Sequence, residues 1–498
     1  MSTVAQLGLD KVAFARLLLC RPLYVMLTLL VIEAALGATT TWLIIQAGRD
    51  VASNDLRVMD FVWILVVQSA SYIVGAISWV FAEQAGFGAH GRYMLAFARA
   101  NRGRATLFAD KGKREAVEPF LTNETFHIFF ELMYELEHAL KLALGLVFNA
   151  IVLGMEIDGS LPIAYLVTFL FCMALQLWLK KPVSEAYLNN QKATNRMTAH
   201  SYTAWDNIFV GNRYNYRLWH AGFKERLRAA LKAQIRAIVA REGLSTASGI
   251  ISLVIVFMAV IYAGMESRGD MATLIALAAT LPKQIDLAND VHALASAWND
   301  LVAIWTRIGG ATEHFLPETD SEYNQRIKFD QLVFSDDGAP LKVADFDSAL
   351  TLATAQPLGR INLRGQNGAG KSTVLAALKS ALGSHAYYWP TTDRLSYQFA
   401  DGVSPEADAE LEGDEEENDV PKAKKPPGFS SGERQIESLQ EIVATTAAPI
   451  YLLDEWDANL DGQNRAIAQA LIDTLAKRAR VIEISHRDRA AVNKGAET

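Results

Sequence analysis

The stretch Gly365-Gln366-Asn367-Gly368-Ala369-Gly370-Lys371-Ser372-Thr373 has the composition and spacing of a phosphate-binding loop. Its glycines allow backbone N–H groups to curl around phosphate oxygens, and a helix starting beyond them turns its positive end toward the same oxygens. Lys371 is expected to reach the β- and γ-phosphates, Ser372 to place a hydroxyl on Mg2+, and Thr373 to extend the polar mouth. The β-type run Arg360-Ile361-Asn362-Leu363 precedes this loop and a helix-type run at 374–379 follows it. That order supplies the strand, loop and helix that a nucleoside triphosphate site needs.

A second constellation lies downstream. Ala448-Pro449-Ile450-Tyr451-Leu452-Leu453-Asp454-Glu455 reads as a buried apolar strand that ends in two acids. Such a strand delivers Asp454 to the Mg2+ shell and leaves Glu455 facing the γ-phosphate, where it can polarise an attacking water. Between the two constellations stands Phe429-Ser430-Ser431-Gly432-Glu433-Arg434-Gln435, and after them Glu483-Ile484-Ser485-His486.

The elements that must carry these residues divide the chain unevenly. Of 498 residues 51% are hydrophobic, and the apolar ones are concentrated before position 310. We therefore expect a membrane half at 1–310 and a soluble half at 311–498. Apolar runs long enough to cross a bilayer occur at 23–47, 60–84, 138–157, 161–180, 245–265 and 271–305. The connections at 54–59, 158–161 and 266–269 are short, whereas those at 90–130 and 181–240 are long and rich in Arg and Lys, which puts both termini in the cytoplasm. The start of the chain lacks the pattern of a cleaved signal peptide. The net charge of −8 reflects a local acidic run, and no basic stripe points to nucleic acid.

Several polar residues fall inside the expected spans: Glu33 in the first, and Lys283, Gln284, Asp286 and Asp290 in the last. Lys283, Asp286 and Asp290 share one face of a helix and can partly neutralise one another. They are candidates for a substrate-lining face, or for interhelical pairs that fix packing. The inner loop at 204–212 mixes aromatic, amide and apolar residues and reads as a short docking helix or a plain connection. Cys20 and Cys172, the only cysteines, are expected to form neither a disulfide nor a zinc site. Residues 401–427 are acidic, then basic and proline-rich, a composition expected to stay solvated and unfolded.

The order of phosphate loop, serine-glycine motif, Asp-Glu and histidine, behind six expected spans, resembles the ABC transporters. More specifically it resembles a half-size exporter with fused membrane and nucleotide-binding domains. The resemblance implies an α-helical six-span membrane domain followed by a cytoplasmic α/β P-loop ATPase domain, with ATP and Mg2+ as ligands. Ser430, Ser431, Gly432 and Glu433 are similar to the family's signature motif, which acts on ATP held by the other subunit. Asp461 then falls in the D-loop, and His486 is the switch residue beside the catalytic Glu455. The Q-loop position falls on Thr391 by spacing or on Gln398 as the nearest glutamine. Ser335 and Asp336 occupy the place where relatives carry an aromatic residue for adenine, and Trp456-Asp457 replace the usual Pro-Thr in the manner of peptide exporters. The resemblance implies a homodimer in a bacterial inner (plasma) membrane, exporting a peptide or another amphiphile; import, or a membrane-anchored ATP sensor that moves nothing, are the alternatives.

Overall fold

Long apolar runs become helices here because a bilayer offers the backbone no other hydrogen-bonding partner. The computed structural model describes residues 11–55, 57–109, 114, 121, 125–313, 325–336, 338–392, 395–401, 430–458 and 460–485. In chain order the first helices are α1 (Lys11–Arg16), α2 (Arg21–Ala52), α3 (Val58–Asn101), α4 (Ala105–Ala109), α5 (Thr125–Glu156) and α6 (Ser160–Ser201). They are followed by α7 (Ala204–Phe209), α8 (Arg213–Glu266), α9 (Met271–Ala279) and α10 (Leu281–Glu313). Among the described residues, five of these helices, α2, α3, α5, α6 over Ser160–Leu179, and α8, are long and apolar enough to cross a membrane. By length and composition they mark a membrane-spanning protein.

The run expected as the last span is not one helix. It breaks between α9 and α10, where Pro282 lacks the N–H that would bond back to the preceding turn. Thr280 closes α9 by donating its hydroxyl to the Ala276 carbonyl at 2.9 Å, and Gln284 of α10 donates to the Thr280 hydroxyl at 3.1 Å. The short helix expected at 204–212 is present as α7, and both cysteines are free.

Compact units divide the chain into residues 1–97 with 120–315, and residues 98–119 with 316–498. In the first, α5 packs against both α2 and α10, and α6 runs against α8. One apolar cluster joins Phe14, Met26, Ala85 and Ile308 to Phe129, whose ring stacks on Phe14 at 4.6 Å; another joins Ile45, Leu153, Tyr165, Val256 and Val291.

The second unit is built on a sheet. Its elements are α4, β1 (Leu332–Asp336), β2 (Ala339–Leu341), α11 (Phe346–Thr354), β3 (Gly359–Gly365), α12 (Lys371–Leu382) and β4 (Ala386–Trp389), then α13 (Gln398–Asp401), α14 (Ser431–Thr445), β5 (Ile450–Leu453), α15 (Gly462–Ala476) and β6 (Arg480–Glu483). The strand order is β2-β1-β3-β6-β5-β4, with β1 antiparallel to both neighbours and the remaining pairs parallel. Alternate residues serve the two faces, as a pleated strand buried on both sides requires. Ile450, Leu452 and Ile482 join α11, α12 and Ala105 of α4 on one side, while Tyr451, Leu453 and Val481 join α14 and α15 on the other. Most of the acidic and proline-rich stretch, from 402 onward, lies outside the described residues.

Candidate functional site

The loop between β3 and α12 carries the residues expected to cradle phosphates. Gly370 sits at φ +93° immediately before α12, and a Cβ there would meet the Ile327 Cα at 3.2 Å. Glycine is required by both the left-handed backbone and this close approach. Gly368 is likewise left-handed at φ +83°. The loop is tied down at Ala369, whose carbonyl accepts from the Lys328 N–H at 3.1 Å, while Gln366, Asn367 and Gly368 are exposed. No side chain caps α12, so its first-turn N–H groups keep their capacity for an anion. Lys371 folds back over the loop and donates to the Gly365 carbonyl at 2.9 Å, and Thr373 follows Ser372 in the first turn.

Asp454 follows β5, one strand removed from β3, and its position is set by its neighbours. Its N–H donates to the Trp389 carbonyl at 2.9 Å, which prolongs the β4–β5 pairing. The Ser372 hydroxyl donates to Oδ1 at 3.0 Å, the Tyr388 hydroxyl to Oδ2 at 3.4 Å, and the Thr391 hydroxyl to the backbone carbonyl at 3.1 Å. Burial pushes the Asp454 carboxyl up to about 6, against the hydrogen bond from Ser372 and with a further push from neighbouring Glu455. This donor set suits Mg2+, which takes one or two protein oxygens and completes its shell with phosphate and water. Among the described residues no group of three or more His, Cys, Asp or Glu converges.

Glu455 adopts φ +46°, one of two left-handed non-glycine residues among those described. Its successor Trp456 is buried, and the Gln435 side chain of α14 donates to the Trp456 carbonyl at 2.7 Å. Ser430 caps α14: its hydroxyl accepts from the Glu433 N–H at 3.3 Å, and Glu433 returns a carboxylate to the Ser430 N–H at 2.8 Å. Glu433 thus has a local role as half of a capping box. Ser431 is exposed and Gly432 buried in the first turn. Asp461 caps α15 by accepting from the Asn464 N–H at 2.8 Å.

The structure therefore brings Lys371, Ser372, Asp454 and Thr391 together. Gln398 opens α13, and its N–H donates to Glu441 of α14 at 2.9 Å. Asp336, at the place expected for an adenine aromatic, accepts from buried Arg480 at 3.4 Å. His486 lies outside the described residues. Sequence reasoning missed Tyr388, which acts on Asp454, and Phe108 of α4, whose ring meets Tyr388 edge-on at 6.4 Å. Alternation along β4 was the only available sign for Tyr388.

In the first unit, Glu33 of α2 pairs with Lys141 of α5 at 2.7 Å and lies against Gly75 of α3, where a Cβ would approach its Oε1 to 2.6 Å. Lys141 was also missed, although a lysine within the run at 138–157 was the available signal. On α10, Lys283 and Asp290 are half-buried and Asp286 is exposed. Asp290 lies within electrostatic reach of Lys283, Asp286 and His138 of α5. Glu33 thus meets α5 through Lys141 and Asp290 lies within reach of the same helix, which packs against both α2 and α10. No family model matches the chain, and no curated protein matches it.

Proposed function

We propose that the chain is an ATP-driven exporter, the half-size form of an ABC transporter, that works as a homodimer and moves a peptide or another amphiphile across a bacterial inner membrane. The observation that carries this reading is the approach of Ser372 to Asp454 at 3.0 Å beside a loop with two left-handed glycines. A strand-end carboxylate and a helix-start hydroxyl so placed, under first-turn N–H groups without a side-chain cap, form the receiving half of a Mg2+-nucleotide site. The P-loop ATPase domain is then the unit built on β1–β6, and the helical unit is the path through the bilayer.

In this mechanism the N–H groups of 366–371 hold the phosphates and Lys371 leaves the Gly365 carbonyl for the β- and γ-oxygens. Ser372 and Asp454 would hold Mg2+, which supplies positive charge to the phosphate oxygens when bound. Glu455 orients water and accepts its proton. Ser430, Ser431, Gly432 and Glu433 complete the site of the partner, with Asp461 at the dimer seam and His486 as the switch residue. One loop and one serine-glycine motif per chain make two sites only on pairing. The aromatic face of α7, where exposed Trp205 and Phe209 lie 4.5 Å apart, provides a docking helix. Glu33, Lys283, Asp286 and Asp290 then belong to the substrate path.

The test is ATP hydrolysis and substrate flux in reconstituted vesicles. Glu455→Gln should lower turnover at least about a hundredfold while nucleotide binding persists. ATP-dependent uptake into inside-out vesicles supports export. Near-normal turnover in Glu455→Gln removes the catalytic assignment, inward flux makes the protein an importer, and nucleotide binding without flux leaves a sensor.

A further inference from the structure

The Glu455–Trp456 turn is held by contacts that the exporter reading does not use. Glu455 is left-handed at φ +46°, a conformation that is strained for a residue bearing a Cβ and persists only where its surroundings impose it. The Glu455 carbonyl accepts from the Ala458 N–H at 3.2 Å, and two further hydrogen bonds hold Trp456 from opposite sides. The Gln435 Nε2 donates to the Trp456 carbonyl at 2.7 Å, and the Trp456 indole Nε1 donates to Glu483 Oε2 at 2.8 Å. Glu483, 2% exposed at the end of β6, is fixed by Arg360 of β3, which donates from Nε at 2.7 Å and Nη2 at 2.6 Å. The Arg360 guanidinium also lies 5.9 Å from the centre of a Trp456 ring. The parallel register places Leu453 of β5 beside Glu483, so the anchor lies level with the strand end from which the turn departs.

We propose that Trp456 and Gln435 are positioning residues that set the carboxylate of Glu455 to orient and deprotonate the attacking water, a role that rests on the reading of Glu455 as the catalytic base. Trp456 supplies the pivot: its ring is locked to the sheet through Glu483 and Arg360, and its carbonyl is locked to α14 through Gln435. The backbone dihedrals of Glu455 are thereby bounded on the far side by a fixed peptide, as its near side is bounded by Asp454. A general base must be placed to within a fraction of an ångström of the water it activates, so loosening this peptide lowers the chemical step and leaves ground-state nucleotide binding alone. The bond to α14 also makes Glu455 sensitive to the helix that begins at the Ser430 cap, because Gln435 lies in the second turn of that helix.

The experiment compares the full-length wild type with Gln435→Met, which keeps the side-chain length and removes the donor, and with Trp456→Phe, which keeps a buried ring and removes the indole N–H. Three readouts are taken: hydrogen exchange by mass spectrometry over peptides covering 453–458 without nucleotide, equilibrium binding of a fluorescent ATP analogue with Mg2+, and steady-state hydrolysis. Faster exchange is expected at 453–458 in both variants, with α12 and β3 protected as in the wild type. Hydrolysis should lose about tenfold in kcat, as one hydrogen bond of ordinary strength implies, with KM and analogue binding within about twofold. Gln435→Arg, which restores a donor, should recover part of kcat. Unchanged exchange at 453–458 together with unchanged kcat overturns the proposal, as does a fall in analogue binding and protection throughout the unit, which marks a plain packing role. If the wild type itself fails to hydrolyse ATP, the exporter reading fails, and the exchange measurement still decides whether these bonds hold the Glu455 turn.

Discussion

The helical unit and the sheet unit place opposite chemistry at their surfaces. In the first, large apolar side chains such as Leu65, Ile73, Ile163, Trp178, Met258 and Ile261 are exposed, and charged groups such as Glu33 and Lys141 meet across helices. From residue 325 onward, the exposed large apolar residues among those described are Val333, Leu358 and Ile467, and the apolar mass lies between sheet and helices. The difference follows from solvent: a bilayer accepts the apolar flank and penalises the charge, whereas water does the reverse. Both units nevertheless hold charged side chains partly or wholly out of water in pairs: Glu33 with half-exposed Lys141 in the first, and buried Arg360 with Glu483 and Asp473 in the second.

Breaking those pairs is the sharpest way to test the comparison. The largest effect belongs to Arg360→Ala, which strands Glu483 at 2% exposure; it should destabilise the sheet unit by about 3–5 kcal/mol, read from denaturant unfolding of the purified chain. A loss below about 1 kcal/mol would mean that water reaches the carboxylate. Next comes Lys141→Met, which leaves Glu33 with a side chain 13% exposed and no cation; a cost of about 2–3 kcal/mol is expected in the helical unit. Adding Glu33→Gln should recover most of that cost, and a double-mutant cycle showing additivity would contradict the pairing. The smallest effect is that of Ser430→Ala, which removes the α14 cap and should cost about 0.5–2 kcal/mol by thermal unfolding. The cap also has a pH sign. The Ser430 N–H, and then its hydroxyl, hold the Glu433 carboxyl below its ordinary value, so this contribution is complete above the unfolded carboxylate range and is lost as pH falls through the lower folded value. Protection of α14 that rises on acidification would contradict that assignment.

Local patterns made much of the molecule legible before any contact was known. The glycine spacing of 365–370 announces the loop because only glycine tolerates φ +93° at 370, and the apolar run before Asp454 announces β5. Apolar length likewise located α2, α3, α5, α6 and α8. The break at Pro282 was within reach, since proline removes a helix donor, yet the hydropathy of the run at 271–305 concealed it. Other features depend on register and long-range packing. Arg360 and Glu483 are neighbours through the β3–β6 pairing, Trp456 reaches Glu483 only once β5 lies beside β6, and Tyr388 meets Asp454 only across β4 and β5. No periodicity within one segment encodes those meetings, and the same holds for Lys141 reaching Glu33 across two helices.

The most direct measurement of the central claim is equilibrium binding of ATP to the full-length protein, titrated with and without Mg2+, for the wild type, Lys371→Ala and Asp454→Asn. The account predicts micromolar to millimolar binding to the wild type that tightens with Mg2+. It predicts a loss of at least about tenfold in Lys371→Ala, and the disappearance of the Mg2+ effect in Asp454→Asn. Binding that is equal in all three proteins, or a wild type that takes up no ATP, would contradict a nucleotide site between the loop at 365–373 and Asp454.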